Sequence, residues 1–199
     1  MALTLATAVR ETNLIVRYLT YSLNEYLRLK FHTVIDTGSG LLAIMPHPKS
    51  GRSLDSTIES LGKSCIDTVI SLLTLAEEQE LGLTDERAVA IQHGMTFQSF
   101  PIRDKGVPLD LAAFCELASD ILRLIEQKHR VVVHCWAGIG RSGLLASTVL
   151  VRMGHDSETV FDLVSKARGE SIPETQEQEH WFKYEALPYM DSLNCSERR

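Results

Sequence analysis

Hydrophobic positions recur along this chain with two periods, and the alternation between them predicts its architecture. Val9, Val16, Leu19, Leu23 and Tyr26 fall at helical spacing and predict a helix over residues 8–30. The apolar runs FHTVI (31–35) and LLAIM (41–45) flank the turn-rich DTGSG (36–40), which predicts a β-hairpin. Residues 46–53 read as a loop, and Leu54, Ile58 and Leu61 predict a short helix. DTVISLL (67–73) is a β-branched apolar run and predicts a buried strand. Thr74 and Glu77 form a capping box for a short helix ending near Gly82. A helix over 84–93 stops at Gly94, and MTFQSF (95–100) predicts a strand.

The loop PIRDKGVP (101–108) has a proline at each end. Phe114, Leu117, Ile121, Leu122 and Ile125 mark an amphipathic helix over 110–128, with Asp110 as its N-cap. RVVVH (130–134) is a short apolar strand. Residues 141–153 predict a buried helix closed by Gly154, and two helices follow over 157–168 and 174–190. Strands alternating with helices imply an α/β fold with a central, largely parallel twisted sheet flanked by helices. No repeat, low-complexity tract or linker interrupts it. The reading is a helical appendage over 1–30 and one domain over 31–199.

Composition narrows the picture. A length of 199 residues with 44% hydrophobic and 23% charged positions suits one soluble domain with a sizeable core. The net charge of -6 gives no general attraction to nucleic acid or anionic membrane. No apolar run approaches the roughly 20 residues that span a bilayer. Cys65, Cys115, Cys135 and Cys195 form no CxxC pair, which speaks against a disulfide framework or a zinc site and for a reducing, cytoplasmic setting. Cys65 and Cys115 read as packed thiols and Cys195 as free in a polar tail. The histidines show no metal-ligand spacing such as HExxH, so neither metal nor other cofactor is expected.

The chemistry lies in His134-Cys135-Trp136-Ala137-Gly138-Ile139-Gly140-Arg141-Ser142-Gly143, between a predicted strand and a predicted helix. Open α/β sheets place ligands at the carboxyl end of a strand, facing a helix N-terminus. Gly138 and Gly140 let a short loop curl with its N–H groups inward, and the helix adds its positive dipole end. Residues 136–141 thus form a bowl for a phosphate dianion. The same field favours the thiolate form of Cys135, the reactive nucleophile. Arg141 can grip two phosphate oxygens in a fork, and Ser142 can donate a hydrogen bond to the departing sulfur.

These residues match the HCxxGxxR-Ser/Thr signature and so resemble the protein tyrosine phosphatase superfamily. The resemblance spans about residues 32–190 and is strongest to small dual-specificity-like enzymes of the cyclin-dependent kinase-associated type, through GLLAIMPHP, DTVISLL, SFPIRDKGVP and HCWAGIGRSG. It implies the tyrosine-phosphatase-like fold, with the helix over 8–30 as an addition. It further implies that His134 orients the loop, and that a carboxylic acid protonates the leaving group. Asp104, 31 residues before Cys135 in a D-x-x-x-P loop, is the first candidate, with Asp110 as competitor. The segment 171–179 is similar to the one that presents a water-positioning side chain in the family, for which Gln178 ranks before Gln176. Trp136 either shapes the rim or packs under the loop.

The function expected is hydrolysis of phosphotyrosine, and of phosphoserine or phosphothreonine, in a protein substrate through a phosphocysteine. A kinase is one candidate partner. The competing readings are the same chemistry on a metabolite, a lipid head group or an RNA 5′ end, and a non-catalytic phosphate- or kinase-binding module. The module reading predicts loss of the cysteine, arginine or acid, and all three are present. A nucleotide-binding P-loop is excluded, because the Gly-Lys-Ser/Thr ending is missing.

Overall fold

The computed structural model describes residues 31–196, with side chains to residue 193. The helix expected over 8–30, the appendage 1–30 and the Cys195 side chain lie outside these.

The hairpin forms as the pattern predicts. Strand β1 (His32–Asp36) runs antiparallel to β2 (Leu41–Met45), with a register shift between Thr33 and Ile35. The turn closes through Thr37, whose amide and hydroxyl both donate to the Gly40 carbonyl. A 3-10 turn (Gly51–Ser53) leads into α1 (Leu54–Lys63), then β3 (Thr68–Ser71), α2 (Leu75–Leu81), α3 (Glu86–Gln92) and β4 (Thr96–Ser99). The long helix α4 (Leu111–Glu126) is capped by Asp110, whose carboxylate accepts from the Ala113 amide at 2.9 Å. Strand β5 (Arg130–His134) and α5 (Gly140–Arg152) follow, then α6 (Val160–Arg168), α7 (Gln176–Trp181), a π-helical turn (Phe182–Ala186) and α8 (Leu187–Ser196). One helix was expected over 174–190. It starts at the Thr175 cap, and the π turn splits it.

The sheet order is β1-β2-β5-β3-β4, with every pair parallel except the hairpin. Strand β5 is central, and its Val131, Val132 and Val133 are wholly buried. Its unbroken apolar run therefore reflects burial on both faces. Helix α5 packs against α4, α6 and β2, and each residue from Gly140 to Leu150 is buried. Phe114 anchors the core, its ring 5.4 Å from Trp181 and 5.9 Å from Phe100. Truncating such a ring to alanine costs about 3–5 kcal/mol. Cys115 is packed, as expected. Cys65 is not: it is exposed at the end of α1, with φ of 61°. Among the described residues, no helix is long and apolar enough to cross a membrane.

Candidate active site

The carboxyl ends of β5, β3 and β4 meet at one place because the ladder continues past the strands. The Leu72 amide donates to the His134 carbonyl at 2.9 Å, and the Ile102 amide donates to the Leu72 carbonyl at 3.1 Å. Three segments therefore leave the sheet side by side: 72–77, which runs into α2, 102–106, and Cys135 to Arg141, which runs into α5.

That last loop depends on its glycines for two different reasons. Gly138 has φ of 67°, and a Cβ there would sit 2.3 Å from the Met45 carbonyl. Gly140 needs only space, since a Cβ would lie 2.6 Å from Glu174 Oε2 and 2.9 Å from the Gln178 amide. Helix α5 starts here with Ile139 as its N-cap, and no side chain caps its first turn. Its leading N–H groups thus face the loop, with the dipole favouring an anion.

Cys135 is 2% exposed, and its Sγ lies 3.4 Å from Ser142 Oγ. Arg141 is 1% exposed, so a full charge is held inside the protein. Its Nη2 donates to Asp104 Oδ1 at 2.8 Å and its Nη1 to the Ile102 carbonyl at 2.8 Å. The Asp104 side chain is half exposed, at the mouth of the site. The turn that aims it closes from the Gly106 amide to the Arg103 carbonyl, with Lys105 at φ of 58°.

Arg141 Nη1 also reaches the Leu72 carbonyl at 3.5 Å, and a further partner is Glu77, a contact the sequence does not predict. Arg141 Nη1 donates to Glu77 Oε2 at 2.9 Å, while Nη2 lies 2.8 Å from Oε1 as an ion-pair contact. Glu77 also completes the expected capping box, accepting from the Thr74 amide and hydroxyl, each at 2.8 Å. Burial opposes its ionisation, but the bonds from Arg141 and Thr74 and the arginine charge overcome this and hold its carboxyl below the ordinary range. For Arg141, burial works toward losing the proton. The Glu77 bond outweighs it, aided by the charges of Cys135, Glu77 and Asp104, and its pKa is raised.

His134 is wholly buried beneath the loop, and its Nε2 lies 3.0 Å from Oε1 of Glu86, itself 1% exposed. The contact has ion-pair distance without hydrogen-bond alignment. Nearby, the Glu78 carboxyl is raised, first by burial and then by the Glu86 charge, with His134 and Arg87 opposing.

Trp136 is half-buried: the His47 amide donates to its carbonyl at 3.1 Å, and the His47 ring meets its indole edge-on at 6.1 Å. Gln178 is fully buried; its Nε2 donates to the Gly106 carbonyl at 3.1 Å and its Oε1 accepts from the Glu174 amide. It ties the Asp104 loop to the Glu174 backbone and lies against Gly140 at the start of α5. Gln176 is exposed, and Asp110 is a helix cap.

This geometry meets an independent finding from comparison with known proteins. Residues 43–155 match a family model described as polymorphic toxin system, DSP-PTPase phosphatase. The chain belongs to this family. It is a cysteine-dependent phosphatase, and thus a hydrolase. The phosphatase is 26% identical over 153 residues to cyclin-dependent kinase inhibitor 3 of Homo sapiens, covering 74% of this chain and 71% of that protein. It is 36% identical over 108 residues to the phosphatidylinositol 3,4,5-trisphosphate 3-phosphatase and protein-tyrosine-phosphatase PTEN1 of Arabidopsis thaliana, covering 51% of this chain and 24% of the other. Among solved structures it resembles kinase associated phosphatase bearing a catalytic-site cysteine-to-serine substitution, with a TM-score of 0.72 at 20% identity over 83% of this chain and 96% of that one. Tk-PTP in its active form aligns with a TM-score of 0.61 at 23% identity, over 78% of this chain and 97% of that one. At these identities the two structures bear on the fold. The family match takes in Asp104, Cys135 and Arg141 and stops short of Gln178.

Proposed function

We propose that the phosphatase hydrolyses phosphorylated protein through Cys135, Arg141 and Asp104, and that residues 31–199 are its catalytic domain with 1–30 as an appendage. The observation that carries this reading is the meeting of Asp104 and Arg141 at 2.8 Å over the loop that begins with Cys135. An acid from residues 102–106 is brought to the segment that carries both the anion clamp and the thiol.

In the first step the Cys135 thiolate attacks phosphorus. Its lone pair forms the S–P bond as the P–O bond to the leaving group breaks, and Asp104 gives that oxygen a proton. Amides of residues 136–140 and the Arg141 fork hold the equatorial oxygens throughout. In the second step water attacks phosphorus, Asp104 takes its proton, and the S–P bond breaks. Ser142, 3.4 Å from the sulfur, donates to the departing thiolate. Gln178 holds the Asp104 loop in place for that water. His134 supports the loop from beneath.

Both phosphotyrosine and the shorter phosphothreonine suit this site. The Asp104 side chain is 51% exposed, so the acid stands near the surface rather than at the foot of a deep shaft. A phosphorylated kinase is the first protein class to test, because relatives of this chain are named for kinases. The loop side chains Trp136, Ala137 and Ile139 carry no cation, which disfavours substrates with several phosphates. The test is hydrolysis of phosphotyrosine and phosphothreonine peptides by wild type, Cys135→Ser and Asp104→Asn. Turnover that the serine variant abolishes supports the reading. Turnover only of a phosphoinositide or an RNA 5′ phosphate would replace the substrate class.

A further inference from the structure

Arg168 is the last residue of α6, thirteen positions beyond the segment that matches the family model, and its side chain reaches back to the phosphate loop. Its Nε donates to the Gly138 carbonyl at 2.7 Å and its Nη2 to the Ala137 carbonyl at 3.0 Å. The third nitrogen, Nη1, lies 3.3 Å from His32 Nε2 on β1. Gly169, at φ of 79°, ends α6 and leaves the Arg168 side chain at the helix terminus.

A trans peptide is planar, and its C=O and N–H point in opposite directions. A guanidinium that draws the Ala137 and Gly138 carbonyls to one side therefore turns the following N–H groups, those of Gly138 and Ile139, to the other. With residues 135–141 read as the phosphate site, that other side is the concavity between Cys135 and Arg141. The loop is also pressed from Met45, where Gly138 leaves no room for a side chain. We infer that Arg168 is a positioning residue of the phosphate loop, one that never touches phosphate but fixes the amides that do. The fork matters as well as the charge. Two donors in one plane can serve successive carbonyls, whereas a lysine ammonium offers one compact charge on a flexible stem.

The inference rests on the reading of residues 135–141 as the phosphate site, and the experiment separates the two. Wild type, Arg168→Lys and Arg168→Met are compared in two ways. One is the inhibition constant of orthovanadate, a phosphate mimic. The other is the ratio of Cys135 alkylation rates with anionic iodoacetate and neutral iodoacetamide. The ratio reports anion attraction independently of how much thiolate is present. Wild type should bind vanadate and favour iodoacetate. Arg168→Lys should weaken vanadate roughly tenfold or more, as loss of a hydrogen bond to a charged group does, and the ratio should fall with it. Partial unfolding does not mimic this, because an inhibition constant is read only from molecules that turn over. Both variants within twofold of wild type on both measures would overturn the role of Arg168. Wild type that neither binds vanadate nor favours the anionic reagent would overturn the phosphate loop itself.

Discussion

Nη1 of Arg141 donates to Oε2 of Glu77 across 2.9 Å, tying the start of α5 to the first turn of α2. Nη2 lies 2.8 Å from Oε1 as a further ion-pair contact, without hydrogen-bond alignment. As the phosphate clamp of the proposed mechanism, the arginine would be held by this contact before any phosphate arrives.

Breaking this pair on one side leaves a buried charge without its counter-ion. Glu77→Ala should lower stability by about 3 kcal/mol and cut kcat/KM for a phosphopeptide at least tenfold. Glu77→Gln, which keeps the shape and the capping bonds, should lose less of both. Thermal unfolding and steady-state kinetics on the two variants check this.

The same residue sets a pH response. Glu77 has its carboxyl held low in the folded protein, so its contribution to stability is fully present above the ordinary carboxylate value, roughly pH 4.3. The contribution is lost as pH falls through the depressed folded value. A Tm profile taken downward from neutral pH should drop more steeply for wild type than for Glu77→Gln. Parallel profiles would remove the pair from the acid response.

In the proposed mechanism Asp104 serves two functions whose signs differ. Asp104→Asn should lower kcat on a phosphothreonine peptide by roughly a hundredfold to ten-thousandfold, and much less on an aryl phosphate whose leaving group needs no proton. It also removes a carboxylate that holds Arg141 Nη2 at 2.8 Å, so KM should fall rather than rise. A rise in KM would mean that the contact assists phosphate binding instead of competing with it.

The carboxylates near His134 give a further handle. Glu78 is raised by burial and then by Glu86, so Glu86→Gln should return the Glu78 carboxyl part of the way toward its ordinary value. Burial remains and keeps the return incomplete. A carboxyl titration followed by NMR reads the shift directly.

The sequence made the strands, the hairpin and the signature loop legible because each leaves a local pattern. DTGSG between two apolar runs can hardly be other than a turn. The Thr74–Glu77 capping box was also readable, but only as a cap. The carboxylate's bonds to Arg141 span 64 residues and follow from the continued ladder of β3, β4 and β5. The Glu86–His134 contact and the reach of Arg168 are likewise tertiary. A clue existed for Glu86: it stands four residues before the buried Ala90, on the inward face of α3, where a carboxylate needs a partner. In the sequence Gln178 ranks before Gln176 by resemblance alone, whereas in the fold Gln178 is buried and Gln176 exposed.

In the proposed mechanism phosphate passes through Cys135 on every turnover. Acid quenching of wild type during turnover of a phosphopeptide, followed by peptide mass mapping, would trap it there. Phosphate attached to Cys135, more abundant in Ser142→Ala because sulfur departure is slowed, is the predicted result. Full turnover with no phosphate on Cys135 in either protein, or turnover retained by Cys135→Ser, would contradict it.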